Sequence, residues 1–232
     1  MIAPVTSFNN AGAIWYQGES NAGTASTYKE LMTTLINSWR KNWKKDFPFY
    51  YVQIAPFAYG NKNLGALLRE AQTQTLSVPN TGMAVITDLV DDIKDIHPKN
   101  KQDVGARLAA WALAETYKKG GIAYKSPMYK NMEVNKNKVT VHFSNVSNGL
   151  IIKGGEKKAT EFYIAGDDQN FLPADVKVEG DHIILSSKQI KNPVAVRFAF
   201  SNTAMANIFS AEGLPVNPFR TDDWDVDTGK VE

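Results

Sequence analysis

Short apolar runs alternate with helical patterns in the first half of the chain. Three runs rich in aromatic and β-branched residues predict strands buried on both faces of a sheet; they cover 12–17, 49–57 and 82–89. Apolar residues recur at helical spacing in three other segments, at 26–43, 64–78 and 99–119. Strands that alternate with helices predict an α/β fold, with a parallel sheet covered by helices on both sides.

The first and third predicted helices have defined apolar stripes and ends. In the first, Ser26 or Thr27 is expected to cap the start, and Glu30 is placed for a capping box. The buried stripe of this helix is predicted to be Leu31, Leu35, Ile36, Trp39 and Trp43. The stripe of the third helix is predicted to be Val104, Leu108, Trp111 and Glu115, with Gly120 and Gly121 ending the helix.

The second half of the chain changes to short alternating segments separated by Gly, Asn and Asp. This pattern predicts a small antiparallel β module, with strands at 135–143, 149–155, 161–166, 175–186 and 193–201. Gly180 and Asp181 are expected at the tip of a hairpin. The predicted organisation is therefore an α/β domain over 1–122, a β module with a return segment over 123–222, and a flexible tail over 223–232.

Composition narrows the classes of partner. The 26 lysines and arginines against 24 aspartates and glutamates give a net charge of +2, too small to indicate nucleic acid or an anionic membrane surface. The absence of cysteine excludes disulfides, thiolate metal sites and cysteine nucleophiles. No segment approaches the ~20 apolar residues of a membrane span, and no signal peptide is visible at the start.

One histidine stands apart from the other two. His142 and His182 lie in predicted strands of the β module, where a structural role is the ordinary interpretation. His97 lies in a polar loop between a buried strand and a helix, two residues after Asp95. A carboxylate beside a histidine can orient the imidazole and stabilise the imidazolium that forms when it accepts a proton. Asp91 and Asp92 compete with Asp95 for this orienting role.

A candidate nucleophile lies in the loop that follows the first predicted strand. Ser20 stands in "GESNA", which is close to the G-x-S-x-G turn of α/β hydrolases. The chain order Ser20, Asp95, His97 also matches the order serine, acid, histidine of those enzymes. In a parallel sheet both loops follow carboxyl ends of strands, so they are expected at the same edge.

Two long motifs, in this order, resemble the sialate O-acetylesterase family. They are "AIWYQGESNA" and "DIHPKNKQDVGARLAAWAL", with "PFYYVQIAPF" and "LLREAQTQTL" between them. The family is a carbohydrate-esterase branch of the SGNH hydrolases, which implies a flavodoxin-like three-layer α/β/α domain. It also implies serine-type deacetylation of an O-acetylated sugar, either sialic acid or a polysaccharide, without a cofactor or metal. Members are typically exported, which implies a periplasmic or extracellular location.

The resemblance assigns roles to two groups of residues. Asp95 and His97 correspond to the acid and the general base. Gly18 corresponds to a backbone donor of the oxyanion hole, Asn21 or Gln17 to a side-chain donor, and Glu19 to a polar brace.

The resemblance gives Ser20 a supporting role, because the family's nucleophile lies in an earlier "GQSNM"-like block that this sequence lacks. Three alternatives stay open. The chain lacks the block and its sheet is incomplete, or a partner chain supplies the serine, or Ser20 acts as a substitute nucleophile.

Two functions therefore remain open at the level of sequence. The first is a carbohydrate O-acetylesterase, inactive by itself if the serine is missing. The second is a non-catalytic sugar-binding or assembly module derived from such an esterase, in which Trp15, Tyr16 and Tyr59 stack on sugar rings. A nucleotide-binding function is disfavoured, because no glycine-rich phosphate loop follows a predicted strand.

Overall fold

A three-stranded parallel sheet forms the centre of the first half of the molecule. The computed structural model describes residues 2–154 and 158–231. Its strands are β1 (Ala13–Trp15), β2 (Phe49–Val52) and β3 (Thr81–Ala84), in the order β1-β2-β3. Each strand is shorter than the apolar run that predicted it. After β2 and β3 the chain leaves the sheet but stays buried, through Pro56 and Thr87, whereas after β1 it is already exposed at Gln17.

Helices cover both faces of this sheet. The helices α1 (Ala25–Trp43) and α2 (Leu64–Gln74) pack on one face, in a core that includes Ile36, Tyr51 and Leu68. The helix α3 (Lys101–Trp111) packs on the other face. The predicted three-layer α/β/α fold is therefore confirmed.

The prediction that all three strands are buried on both faces is wrong for β1. This strand pairs only with β2, and the side chain of Ile14 is 68% exposed. All four residues of β2, by contrast, are buried. Composition alone cannot distinguish an edge strand from a central one, since both carry β-branched and aromatic residues.

The predicted ends and stripes of the helices need three corrections. Helix α1 begins one residue before Ser26, and no side chain caps it, because a 3₁₀ turn over Glu19–Thr24 runs directly into it. Leu31 is exposed, and the buried stripe is carried by Tyr28, Met32 and Ile36 instead. The third helix ends at Trp111 and continues as a π-helical turn over Ala112–Thr116, before the two glycines.

The second half consists of antiparallel strands. Four form one sheet in the order β4-β5-β10-β9, and four form another in the order β13-β11-β7-β8, while β6 pairs with β12. Their bounds are β4 Met128–Asn135, β5 Lys138–Ser144, β6 Leu150–Ile152, β7 Phe162–Ala165, β8 Leu172–Pro173, β9 Asp175–Glu179, β10 His182–Ser186, β11 Ala195–Phe198, β12 Ile208–Ser210 and β13 Phe219–Arg220. The hairpin with Gly180 and Asp181 at its tip is confirmed by the pairing of Glu179 with His182. The strand β4 was not predicted, and Gly155 of the predicted strand 149–155 lies outside the described residues.

Buried polar contacts join the β module to the α/β layers. Arg220 on β13 forms a bidentate ion pair with Glu70 on α2, with distances of 2.8 and 3.0 Å. Deeper in the joint, the Gln53 amide donates to Asn217 Oδ1 at 2.8 Å, and both side chains are buried. Each buried partner loses a hydrogen bond when the other is not in place, so these contacts select the observed packing of the two halves.

The last segment of the chain lies along the loop that precedes α2. Asp227 accepts from Lys62 Nζ at 3.0 Å, and Val231 N–H donates to the carbonyl of Gly60 at 3.1 Å. These contacts favour a docked segment over 223–231, while the flexibility that the sequence predicts for 223–232 stays a prediction; Glu232 lies outside the described residues. Among the helices that the structure describes, none combines the length and apolar character that a bilayer crossing requires.

The contact between β3 and α3 gives a test of this packing. A Cβ atom at Gly82 would overlap the indole ring of Trp111, whose Nε1 donates to the carbonyl of Met83 at 3.0 Å. We expect Gly82→Ala to lower the free energy of unfolding by about 1–3 kcal/mol, because the ring must move.

The matched control is Gly105→Ala on the exposed side of α3, where a Cβ meets no atom within 4 Å. This change should raise the free energy of unfolding by roughly 0.5–1 kcal/mol, since alanine is the better helix former. Urea denaturation of both variants measures the difference, and equal stabilities would contradict the packing.

Candidate active site

The polar loops that follow the three parallel strands meet at one edge of the sheet. The loop after β1 contacts the start of α3, since Lys101 Nζ lies 4.7 Å from the ring centroid of Tyr16. The loop after β2 contacts the loop after β3 through a hydrogen bond of 2.8 Å from Ala58 N–H to the carbonyl of Ile93. The structure therefore brings the Gln17–Asn21 loop and the His97 loop to a common edge.

The Gln17–Asn21 loop is compact and internally bonded. The Asn21 N–H donates to the carbonyl of Gly18 at 2.7 Å, and Gln17 Nε2 donates to Asn21 Oδ1 at 3.2 Å. That bond occupies the amide oxygen of Asn21, while its Nδ2 makes no hydrogen bond to another described residue. Asn21 thus presents an amide donor at the edge of the sheet.

Close packing explains why glycine follows Gln17. Gly18 is buried, and a Cβ there would lie 3.1 Å from both Gln72 Nε2 and Ile54 Cγ2 and 3.4 Å from the Tyr28 hydroxyl. That hydroxyl also donates to the carbonyl of Gln17 at 3.2 Å. The backbone of the loop is therefore held against α1, α2 and the end of β2.

Glu19 lies among tyrosine side chains. Burial first, and then the Glu19 carboxylate, raise the pKa of Tyr16 to about 12. The same two causes raise the pKa of Tyr59 to about 12, against a lowering effect of Arg69. Glu19 is half-buried, so its charge acts inside the edge of the sheet and not in open solvent.

Ser20 is exposed and distinct from the packed residues around it. Among the described residues, no hydrogen bond joins its hydroxyl to His97 or to any other side chain. A nucleophile and base pair of the kind that the order Ser20, Asp95, His97 suggests is therefore not formed here.

His97 is presented to solvent by a loop that Asp95 organises. The His97 side chain is 85% exposed. Asp95 Oδ1 accepts the backbone N–H of His97 at 2.9 Å and lies 3.9 Å from the ring Nδ1. The carboxylate thus fixes the turn through the backbone, while its contact with the ring is electrostatic.

The two competing carboxylates point to other partners. Asp92 Oδ1 accepts the Lys94 N–H at 2.8 Å, and Asp91 lies 3.6 Å from Lys99 Nζ. Asp95 is therefore the carboxylate placed beside His97.

An ion pair and a helix cap hold the two ends of the His97 loop. Arg107 on α3 binds both oxygens of Asp88 at 2.6 Å, just after β3. Asn100 accepts the Asp103 N–H at 3.1 Å and donates to the Asp103 carboxylate at 2.8 Å, which caps α3 reciprocally. The loop between β3 and α3 is thus anchored near both ends.

Sequence reasoning missed two buried polar residues of α2. The amide of Gln72 accepts from Ile54 N–H at 2.8 Å and contacts Gly18. Arg69 is buried, bonds the carbonyl of Ser201, and has its pKa lowered to about 10 by burial. Arg69 and Gln72 stand three residues apart on the buried face of α2, and this polar interruption of an apolar face was the available sign.

Among the described residues, no group of three or more His, Asp or Glu side chains is arranged as metal ligands.

Comparisons with known proteins support the fold and find similarity to carbohydrate esterases. Residues 3–114 match the family model described as "Carbohydrate esterase, sialic acid-specific acetylesterase". The chain is 27% and 28% identical to the sialate O-acetylesterases of Mus musculus and Rattus norvegicus, over 94% of this chain and 46% and 45% of theirs. A crystal structure of a carbohydrate acetylesterase from Xanthomonas citri superposes with a TM-score of 0.89 at 40% identity, over 97% of this chain and 53% of that one. The chain thus spans about half the length of the proteins it matches.

The tyrosines around Glu19 give a pH-dependent test of the edge. Their raised pKa values mean that the folded protein holds two phenolic protons which the unfolded chain releases near pH 10. This contribution to stability is complete below about pH 10 and is lost as the pH rises toward 12.

We therefore expect Tyr16→Phe and Tyr59→Phe each to make the alkaline fall in stability shallower, with Tyr117→Phe, an exposed tyrosine, as the control. Urea denaturation from pH 8 to 11, together with tyrosinate absorbance, measures this. If the absorbance shows both phenols ionising near pH 10, the burial of Tyr16 and Tyr59 beside Glu19 is contradicted.

Proposed function

We propose that the chain is a member of the sialate O-acetylesterase family, which it resembles, and that it carries the acid–base and oxyanion residues of a serine-type carbohydrate O-acetylesterase. The substrate class in this proposal is an O-acetylated sugar, either sialic acid or a polysaccharide. The names of the similar proteins support this class. An exported location, periplasmic or extracellular, belongs to the same proposal and rests on the family resemblance.

One observation carries the proposal: an exposed imidazole and an amide-rich turn share one edge of the sheet. Lys101 follows His97 by four residues, and Tyr16 directly precedes Gln17. The contact between Lys101 and Tyr16 therefore joins the two loops. The carboxyl edge of a parallel sheet is where ligands bind in open α/β folds.

His97 acts as the general base in this proposal, and then as the general acid. Its imidazole accepts the proton of a serine hydroxyl as that oxygen attacks the acetyl carbon. It then donates the proton to the sugar oxygen that leaves. Asp95, 3.9 Å from Nδ1, stabilises the imidazolium between these steps. Hydrogen bonds of catalytic groups are commonly long until substrate binds, so this spacing suits the role.

The Gln17–Asn21 loop stabilises the negative charge of the tetrahedral intermediate. Gly18 contributes a backbone N–H and Asn21 its free amide Nδ2, with Gln17 holding the amide in place. Donors of this kind act because they are oriented before the charge develops. The packing of Gly18 against Gln72 and Ile54 supplies that orientation. Glu19 braces the loop from inside.

The serine comes, in this proposal, from a segment outside the described residues that pairs along the free edge of β1. The edge has unpaired backbone groups, and the exposed Ile14 offers an apolar surface beside them. Ser20 keeps a supporting role, because it makes no hydrogen bond with His97 among the described residues. The segment belongs either to the same protein or to a partner chain.

A second candidate function is a non-catalytic sugar-binding or assembly module. The missing contact between Ser20 and His97 favours it. Tyr59, which lines a cavity of about 300 Å³ with Lys62 and Asn202, would then contribute to sugar binding. Binding of an acetylated sugar without acetate release is the expected result for this function.

The proposal is tested with p-nitrophenyl acetate and with 9-O-acetylated sialic acid. Turnover is measured for the chain alone and for the chain mixed with the unmatched half of the Xanthomonas citri enzyme. We expect His97→Ala to lower turnover in the mixture by about 10²–10⁴-fold, because the general base is lost. His182→Ala in the β module is the matched control and should leave turnover unchanged.

Two results would overturn the assignment. Turnover that survives His97→Ala in a folded protein would show that His97 is not the general base. Turnover by the chain alone that Ser20→Ala abolishes would make Ser20 the nucleophile.

A further inference from the structure

A groove runs along α3 between the α/β layers and the β module. One cavity of about 450 Å³ is lined in part by Tyr124, Lys125, Asn145, Ser147, Asn148 and Glu212. A second cavity of about 240 Å³ is lined by Asp103 and Arg107, and the two share Ala123, Tyr124 and Leu214. Since they share three lining residues, the two cavities lie next to each other along α3. The volume of the larger cavity falls in the range of roughly 300–1,000 Å³ that is typical of ligand sites.

The groove leads away from the candidate active site. Helix α3 begins four residues after His97, and its first turn carries Asp103. The helical residues that line the groove extend to Ala110, which is seven residues or ~10 Å further along the axis. A chain-like ligand with one end near His97 can therefore continue into the groove.

The floor of the groove offers hydrogen-bond acceptors. Glu212 is exposed, and hydrogen bonds from its own backbone N–H, the Asn148 amide and the Ser210 hydroxyl lower the pKa of its carboxyl. The Asn148 bond of 2.6 Å engages only Oε1 of Glu212. Asn145 donates to the carbonyl of Ser126 at 3.1 Å, which turns its Oδ1 away from that bond. These oxygens suit a ligand that donates several hydrogen bonds, as hydroxyl groups do.

A fixed aromatic ring lies beside these acceptors. The Tyr124 hydroxyl donates to Glu115 at 2.7 Å, and its ring packs edge-on against Trp111 with centroids 4.9 Å apart. Both contacts hold the half-buried ring in place. Such a ring next to polar groups suits a ligand with apolar C–H faces and polar edges.

The cations that line the groove are paired, whereas Asp103 and Glu212 form no ion pair among the described residues. Glu212 supplies one negative charge, while Lys125 is paired with Glu115 at 3.0 Å. Arg107 is neutralised by Asp88. An anionic ligand therefore finds no unpaired cation here, and the free carboxylate oxygens suit a ligand that donates hydrogen bonds from neutral hydroxyl groups.

We infer that this groove binds neutral sugar units of an oligosaccharide, next to the acetylated unit that reaches His97. The link to His97 rests on the proposed function, whereas sugar binding in the groove does not. The substrate class becomes an acetylated oligosaccharide or polysaccharide, and a free monosaccharide would leave the groove unused.

Calorimetry on the chain tests the inference with xylohexaose and N-acetyl-chitohexaose as probes, and with the corresponding monosaccharides. We expect at least one hexasaccharide to bind with Kd on the order of 10⁻⁴–10⁻³ M. Its monosaccharide should bind at least about tenfold more weakly. Glu212→Gln should weaken hexasaccharide binding about tenfold, because a charged acceptor is lost.

Matched variants separate the groove from general effects. Tyr124→Ala should weaken binding, while Tyr124→Phe keeps the ring and should bind nearly as the parent does. Glu133→Gln, an exposed glutamate on β4, should change nothing. Thermal unfolding confirms that each variant is folded, and a Tyr124→Ala protein that does not fold leaves Glu212→Gln as the deciding variant.

The inference is overturned if neither hexasaccharide binds below about 10 mM, or if Glu212→Gln binds as tightly as the parent chain. Equal affinity for hexasaccharide and monosaccharide also contradicts an extended site. Loss of turnover in His97→Ala bears only on the proposed function. If the chain binds the hexasaccharide through Glu212 but hydrolyses no ester, the groove is supported and the proposed esterase function is contradicted.

Discussion

The molecule depends on how buried hydrogen-bonding groups are satisfied where β2 leaves the sheet. The strand partners of β2 end at Val52, yet the chain stays buried through Ile54. Two amides of buried side chains take over there: Gln72 accepts from the Ile54 N–H, and Gln53 donates to Asn217. Each buried group left without a hydrogen bond would cost about 1–3 kcal/mol. The two glutamines therefore determine which segments can pack against the end of β2.

The shape of the candidate site follows from the same constraint. Gln72, which satisfies the end of β2, also sets the closest approach of Gly18. Gln53, through Asn217, connects the same strand end to the β module. The loop that presents Asn21 and the β module are therefore positioned through two adjacent residues just after β2, Gln53 and Ile54. A change in Gln72 would reach the loop of Gly18, and a change in Gln53 would reach the β module through Asn217.

The sequence predicts the layers of this fold well and its edges poorly. Periodicity identifies α1, α2 and α3 because burial on one face is a local property of a helix. The exposure of Ile14 depends on which strands lie beside β1, which no local pattern records. The cap of α1 was misplaced because a 3₁₀ turn precedes the helix, and the signature of a capping box does not detect that.

The common edge of the two polar loops was predictable from the sequence, and their contacts only in part. The rule for carboxyl ends of parallel strands places the loops of His97 and Asn21 at one edge, and the structure has them there. The bond of Asp95 to the His97 backbone, and not to the ring, depends on loop geometry that spacing does not determine. Arg69 and Gln72 were missed because polar residues in a helix are normally expected to face solvent.

The joint between the two halves also bears on how the protein is made. Three side chains of the α/β layers have partners that lie 132 to 164 positions later in the chain. The pairs are Gln53 with Asn217, Arg69 with Ser201, and Glu70 with Arg220. During synthesis the α/β layers leave the ribosome first, with these three side chains still lacking their partners. The joint can therefore close only after β13 has emerged, so its buried polar groups are satisfied last during synthesis.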